Sequence, residues 1–190
     1  MKKTLCVLLL LLTGCSSKTS MIEIQKHVYV EKEFKDSWLE TNEFGDSYIK
    51  EELQGGYHYH FDQQFLEIFF NSGGKIELYN YSIKKNDLII SGEMIPPKTI
   101  RLVHPHLDNV TSEGVIIHEL GHYFDEKHQF SSSKQFTELY KKYRTLFNQK
   151  TKKEYFAECF KEYVGGHQEK VKPFHSYMKT ITQKIRQKNK

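Results

Sequence analysis

The run Val115-Ile116-Ile117-His118-Glu119-Leu120-Gly121-His122-Tyr123-Phe124-Asp125 organises everything else in this sequence. Its two histidines stand four positions apart, about one turn of an α-helix, so both project from one face and can aim a ring nitrogen at a single metal ion. Glu119 lies one residue further round. That offset removes it from the ligand set but leaves it within reach of a water polarised by the metal, a water whose pKa zinc lowers to about 7. Val115, Ile116 and Ile117 lead into the motif, and Leu120, Tyr123 and Phe124 continue its apolar character. A buried helix is therefore expected, not a surface helix with a charged stripe. Gly121 leaves room for another element to pack closely. Ser112 is the predicted N-cap, with Glu113 in the first turn beside the positive end of the helix dipole.

A catalytic zinc site uses three protein ligands and a water, so one ligand remains to be found. Glu154-Tyr155-Phe156-Ala157-Glu158 offers two carboxylates at i and i+4 on a second predicted helix. One ligates and the other orients a histidine from behind, and the spacing does not say which is which. Ten histidines raise the odds of an accidental HExxH; the downstream carboxylate pair is what makes one Zn2+ the expected cofactor.

Residues 118–125, followed by Glu154-Tyr155-Phe156-Ala157-Glu158-Cys159-Phe160, resemble the catalytic domain of anthrax lethal factor and the secreted Pro-Pro endopeptidases, over residues 60–170. The second motif is the more specific of the two. The resemblance implies a zincin-like metalloendopeptidase of the gluzincin type, acting on a peptide or protein substrate, with cleavage near proline in some relatives. It implies His118, His122 and Glu154 as zinc ligands, Glu119 as general base, and Glu158 and Asp125 as residues that hold the histidines. Asp125 lies three residues after His122 on the same helix face, which suits that role. The family places an oxyanion-stabilising tyrosine seven residues before the ligand glutamate. Phe147 stands there in this chain, and Tyr143, one helical turn earlier, is the expected substitute. Losing one oxyanion donor costs about 10²–10³ in rate, so a zinc-binding module without turnover is the alternative reading.

The N-terminus reads as a targeting segment. Met1-Lys2-Lys3 is a short positive region, and Leu5 to Leu12 is apolar but too short to span a bilayer. Leu12-Thr13-Gly14-Cys15 resembles a bacterial lipobox, which implies cleavage before Cys15 and lipidation of that cysteine. The expected organisation is a leader over 1–14, a lipidated cysteine and tether over 15–21, and one domain over 22–190, held on the extracellular side of the cell membrane as a monomer. Without Lys2 and Lys3 the net charge of +4 becomes +2, too small a bias to predict nucleic-acid binding. Of three cysteines, only Cys159 belongs to the domain, so no internal disulfide is expected; inside an apolar helix it reads as a buried, inert thiol.

The expected fold class is α+β: a small mixed sheet with an edge strand packed on the active-site helix, then a mostly helical C-terminal half. Ile22, Ile24, Val28 and Val30 alternate in part, with Phe34, Trp38 and Leu39 as anchors to the domain. Asp62 to Asn71 reads as a helix stopped by Gly73-Gly74. Ile76 to Tyr81, Leu88 to Ser91 and Thr99 to Val103 read as strands. The last of these is the expected edge, where extended substrate would pair. From Ser112 onward, helices are expected over 112–128, 132–147, 152–165 and 170–187. His58 and His60 read as an exposed strand face. His104-Pro105-His106 is either a lining of the substrate cleft or not part of the site. The basic tail from Lys179 reads as a solvated helix end.

Overall fold

Alternating apolar residues build the sheet. The strands are β1 (Met21–Gln25), β2 (Val28–Glu31), β3 (Lys75–Tyr79), β4 (Ile83–Lys85), β5 (Leu88–Ile90), β6 (Gly92–Ile95) and β7 (Thr99–Val103). The computed structural model describes residues 20–41, 46–85, 88–104, 114–149 and 151–188. Five strands form one mixed sheet in the order β1-β2-β3-β7-β6, and β4 and β5 form a separate antiparallel pair. β2, β3 and β7 run parallel, while β6 returns antiparallel to β7.

The register aligns Val28, Ile76, Ile100 and Met94 in one row, and Val30, Leu78, Leu102 and Gly92 in the next. The three central strands bury these side chains almost completely. The opposite face carries the polar half of the period-2 pattern. There Arg101 reaches Glu77 at 3.2 Å and Glu93 at 3.4 Å across neighbouring strands.

Helices cover the apolar face. They are α1 (Lys35–Leu39), α2 (Tyr48–Gln54), α3 (Gln64–Asn71), α4 (Val115–His128), α5 (Lys134–Tyr143), α6 (Lys152–Val164) and α7 (His175–Gln187), with a 3-10 segment over Gln168–Phe174 before the last. α4 sits on the sheet at its β6 end. The apolar row reduces to Gly92 there because a Cβ at that position would stand 2.6 Å from Val115 Cγ1. α4 and α6 pack closely where Gly121 meets Ala157: a Cβ on Gly121 would lie 2.9 Å from the Ala157 backbone. One apolar cluster runs from the sheet through Phe65, Phe124, Phe156 and Phe160 to Ile185 on α7, so sheet and helices share a core.

Three expectations are corrected. The edge strand beside α4 is β6, not Thr99–Val103, which is paired on both sides as β7. The sequence hides β6 because its four residues lie between Ser91 and Pro96-Pro97, leaving too few positions for a visible alternation. Leu39 is not an anchor; it is 44% exposed, whereas Trp38 is fully buried. His58 and His60 lie in an irregular segment and not on a strand. Gly114, with φ +72°, occupies the N-cap position of α4; Ser112 and Glu113 fall outside the described residues, as do Cys15, Pro105 and His106.

Candidate metal centre

The facing surfaces of α4 and α6 bring together the residues read from the two motifs. Glu154 Oε2 lies 3.2 Å from His118 Nε2 and 3.3 Å from His122 Nε2. The three ligand atoms stand within 4.8 Å of one another. Four donors at zinc bond lengths, about 2.0–2.1 Å, form a tetrahedron with edges of roughly 3.3 Å. Two imidazole nitrogens and a carboxylate oxygen at these separations therefore fit a zinc ion in both donor chemistry and spacing. Both helices that hold them are fixed. Thr151 caps α6 by accepting from the Glu154 amide at 3.2 Å, and the Gly121–Ala157 contact sets the distance between the axes.

The electrostatics follow from this crowding. Burial alone would lower the His118 pKa, but hydrogen bonds to Glu154 and Glu158 outweigh it and push the value up to about 9. His118 therefore carries a proton near neutral pH, one that a metal ion would have to displace. Glu154 is held well below the ordinary carboxylate range by its hydrogen bonds to His118 and His122. Burial pushes Glu119 up, against the partly offsetting pull of the two histidines. Its carboxylate also accepts the backbone N–H of Met94 on β6.

That last contact joins the metal centre to the sheet edge. Ser91 C=O accepts from Val103 N–H at 2.8 Å. The antiparallel alternation then turns the backbone groups of Glu93 and Ile95 toward β7, and those of Gly92 and Met94 outward. A cleft of about 1010 Å³ lies along this edge, with Ile89, Gly92 and Met94 on one side and His118, Glu119, His122 and Glu154 on the other. Asn148, Gln149 and Lys153 line its end near α6. The Met94 amide and Lys161, which also lines the cleft, were not singled out from sequence. Only the i, i+3 spacing of Lys161 from Glu158 offered a signal.

The residues expected around the ligands divide. Glu158 Oε2 accepts from His118 Nδ1 at 3.2 Å. Asp125 does not hold His122. Its oxygens accept from the Ser131 amide at 2.6 Å and from the Ser131 hydroxyl at 2.7 Å, which fastens the loop after α4. Asp125 is nearly fully buried there, and a carboxylate with two such donors is already satisfied.

Tyr143 does not reach the cleft. Its ring packs 6.1 Å from Phe174, and its carbonyl accepts the Tyr155 hydroxyl at 2.6 Å. Phe147 packs 5.3 Å from the same Tyr155 ring. Tyr155 follows Glu154 by one residue and so points about 100° away from the metal face, carrying the end of α5 with it.

His104 is a core histidine, not a cleft residue. It is buried between Trp38 at 4.8 Å and Tyr48 at 4.9 Å, with Nε2 3.1 Å from Ser37 C=O. Cys159 is buried, and burial pushes its thiol pKa well up, as an inert core thiol requires. Comparison with protein-family models gives no match, and comparison with curated proteins gives none either.

Proposed function

We propose that this protein is a zinc-dependent endopeptidase, anchored at the extracellular face of a bacterial cell membrane through a lipid on Cys15. The observation that carries the proposal is the convergence of His118, His122 and Glu154 within 4.8 Å, with buried Glu119 beside them at the outer edge of β6. His118, His122 and Glu154 would hold one zinc ion, which supplies Lewis acidity that makes water a competent nucleophile near neutral pH.

The chain's own residues do the rest. The outward N–H and C=O of Gly92 and the outward C=O of Met94, whose N–H is held by Glu119, offer an extended peptide a strand partner beside the metal centre. Glu119 takes a proton from the attacking water onto its carboxylate as the oxygen adds to the peptide carbonyl. It then passes that proton to the amine nitrogen as the C–N bond breaks. Burial prepares Glu119 for both halves of this exchange by bringing its acidity closer to that of its partners.

A zinc-binding module without turnover is the second reading. The direction of Tyr143 and Phe147, both packed away from the cleft, is what favours it. One experiment separates the two. Zinc content and hydrolysis of a mixed peptide library are measured for the wild type and for Glu119→Gln. The endopeptidase reading expects one zinc in both proteins and cleavage only in the wild type. Zinc without cleavage in either supports the binding module, and cleavage that survives Glu119→Gln rules out the proposed base.

A further inference from the structure

We propose that Lys161 is a positioning residue for the metal centre, acting through Glu158 to fix the orientation and tautomer of His118; this rests on the zinc site proposed above. Lys161 Nζ stands 2.6 Å from Glu158 Oε1, while the other oxygen of the same carboxylate takes His118 Nδ1 at 3.2 Å. With one oxygen committed to the ammonium, the carboxylate presents the second toward the imidazole and cannot rotate away. With a metal bound, the one proton left on His118 then stays on Nδ1, which leaves the Nε2 lone pair to the metal.

The lysine is itself held. Its side chain is 16% exposed and that of Glu158 is 14% exposed, so this is not a solvated surface pair of the kind that contributes little. Its Nζ lies 3.8 Å from Glu162 Oε1, an oxygen that also accepts the Tyr59 hydroxyl at 3.0 Å. Glu162 Oε2 in turn meets His167 Nδ1 and Lys170 Nζ, each at 3.0 Å. The stem runs through a slot made of glycine: a Cβ on Gly114 would stand 2.9 Å from Lys161 Cδ and 2.9 Å from Tyr59 Cζ. Glu154, Glu158 and Glu162 form an i, i+4 ladder of like charges, which is unfavourable by itself. Lys161 sits between the last two and offsets their repulsion.

The test is a zinc titration of the full-length chain as wild type, Lys161→Met, Lys161→Gln and Lys161→Arg. The visible spectrum of each cobalt(II)-substituted protein reads ligand geometry, and circular dichroism of the metal-free forms reads the fold. Expected is a zinc Kd raised about 10-fold or more in Lys161→Met and Lys161→Gln, with altered cobalt bands and an unchanged metal-free fold. Lys161→Arg should restore affinity to within about threefold of the wild type, since it keeps the charge and the donor. Wild-type zinc binding with both neutral variants equal to it overturns this proposal alone. Loss of the metal-free fold in both neutral variants overturns it in favour of a scaffold role. No zinc bound by the wild type overturns it together with the metal site.

Discussion

His118 and His122 belong to one helix, one motif and one proposed metal, yet they are held in different ways. His118 is gripped on both ring nitrogens, by Glu154 on one side and by Glu158 on the other. His122 meets Glu154 through Nε2. Among the described residues no hydrogen bond reaches its Nδ1, because Asp125 is turned to Ser131. The motif treats the two histidines as equivalent; α6 does not. A helix packed against the motif at Gly121 can send a carboxylate behind one histidine, while the segment that follows α4 claims Asp125, the carboxylate one turn along from the other.

The largest effect should come from the residues the two histidines share. Removing Glu154, His118 or His122 as alanine should abolish stoichiometric zinc, measured as metal content per chain after purification without chelator. A full zinc complement in Glu154→Ala would break the comparison at its root. Next in size is the difference between the supporting carboxylates. Glu158→Gln should weaken zinc binding about 10–100-fold. Asp125→Asn should leave zinc affinity near the wild type but cost about 1–3 kcal/mol of stability, because it breaks a buried, doubly bonded carboxylate. Equal losses of zinc affinity in the two variants would show that Asp125 supports His122 after all.

A pH series sharpens the same contrast. In the metal-free protein the His118 pKa is raised from 6.5 to about 9. Its stabilising contribution is therefore complete below about pH 6.5 and lost as pH rises through 9. Glu154 is depressed from 4.5, so its contribution is complete above that value and lost as pH falls below it. Melting temperature with chelator present should peak between these limits and fall on the alkaline side. His118→Ala should remove that alkaline fall, and so should saturating zinc, which replaces the proton. A metal-free melting temperature that falls no more in the wild type than in His118→Ala between pH 6.5 and 9 would contradict the assignment. The smallest effect concerns the aromatic side of α6. Tyr143→Phe and Phe147→Tyr should each change the hydrolysis rate less than about threefold, against the 10²–10³ typical of an oxyanion donor.

Local pattern made much of this molecule legible in the sequence. The i, i+4 histidines and the glutamates of the second motif could be placed on two helices because helical periodicity is a property of neighbours along the chain. Strands β3 and β7 followed from alternation, and the packing role of Gly121 from its missing side chain. The helical C-terminal half read through because its apolar positions repeat over long stretches, as in α7, where Tyr177, Met178, Ile181 and Ile185 are buried. Short elements did not read through. β6 is too brief to display a period, and its place at the edge depends on β7 pairing with β3.

The sequence by itself determined which residues would supply imidazole and carboxylate donors, and on what kind of element each would sit. Only the tertiary structure decided which partner each donor would meet. Asp125 was placed on the correct helix face, but that face is shared by His122 and by the loop holding Ser131, and the nearer donors took it. Tyr143 was within reach by sequence distance, but the Tyr155 hydroxyl draws the end of α5 to the far side of α6. Lys161 gave little sign until Glu162, Tyr59 and the glycine slot at Gly114 fixed where its ammonium must lie. A pattern reports the direction in which a side chain leaves its own element. What it touches depends on the elements packed opposite, and those come from elsewhere in the chain.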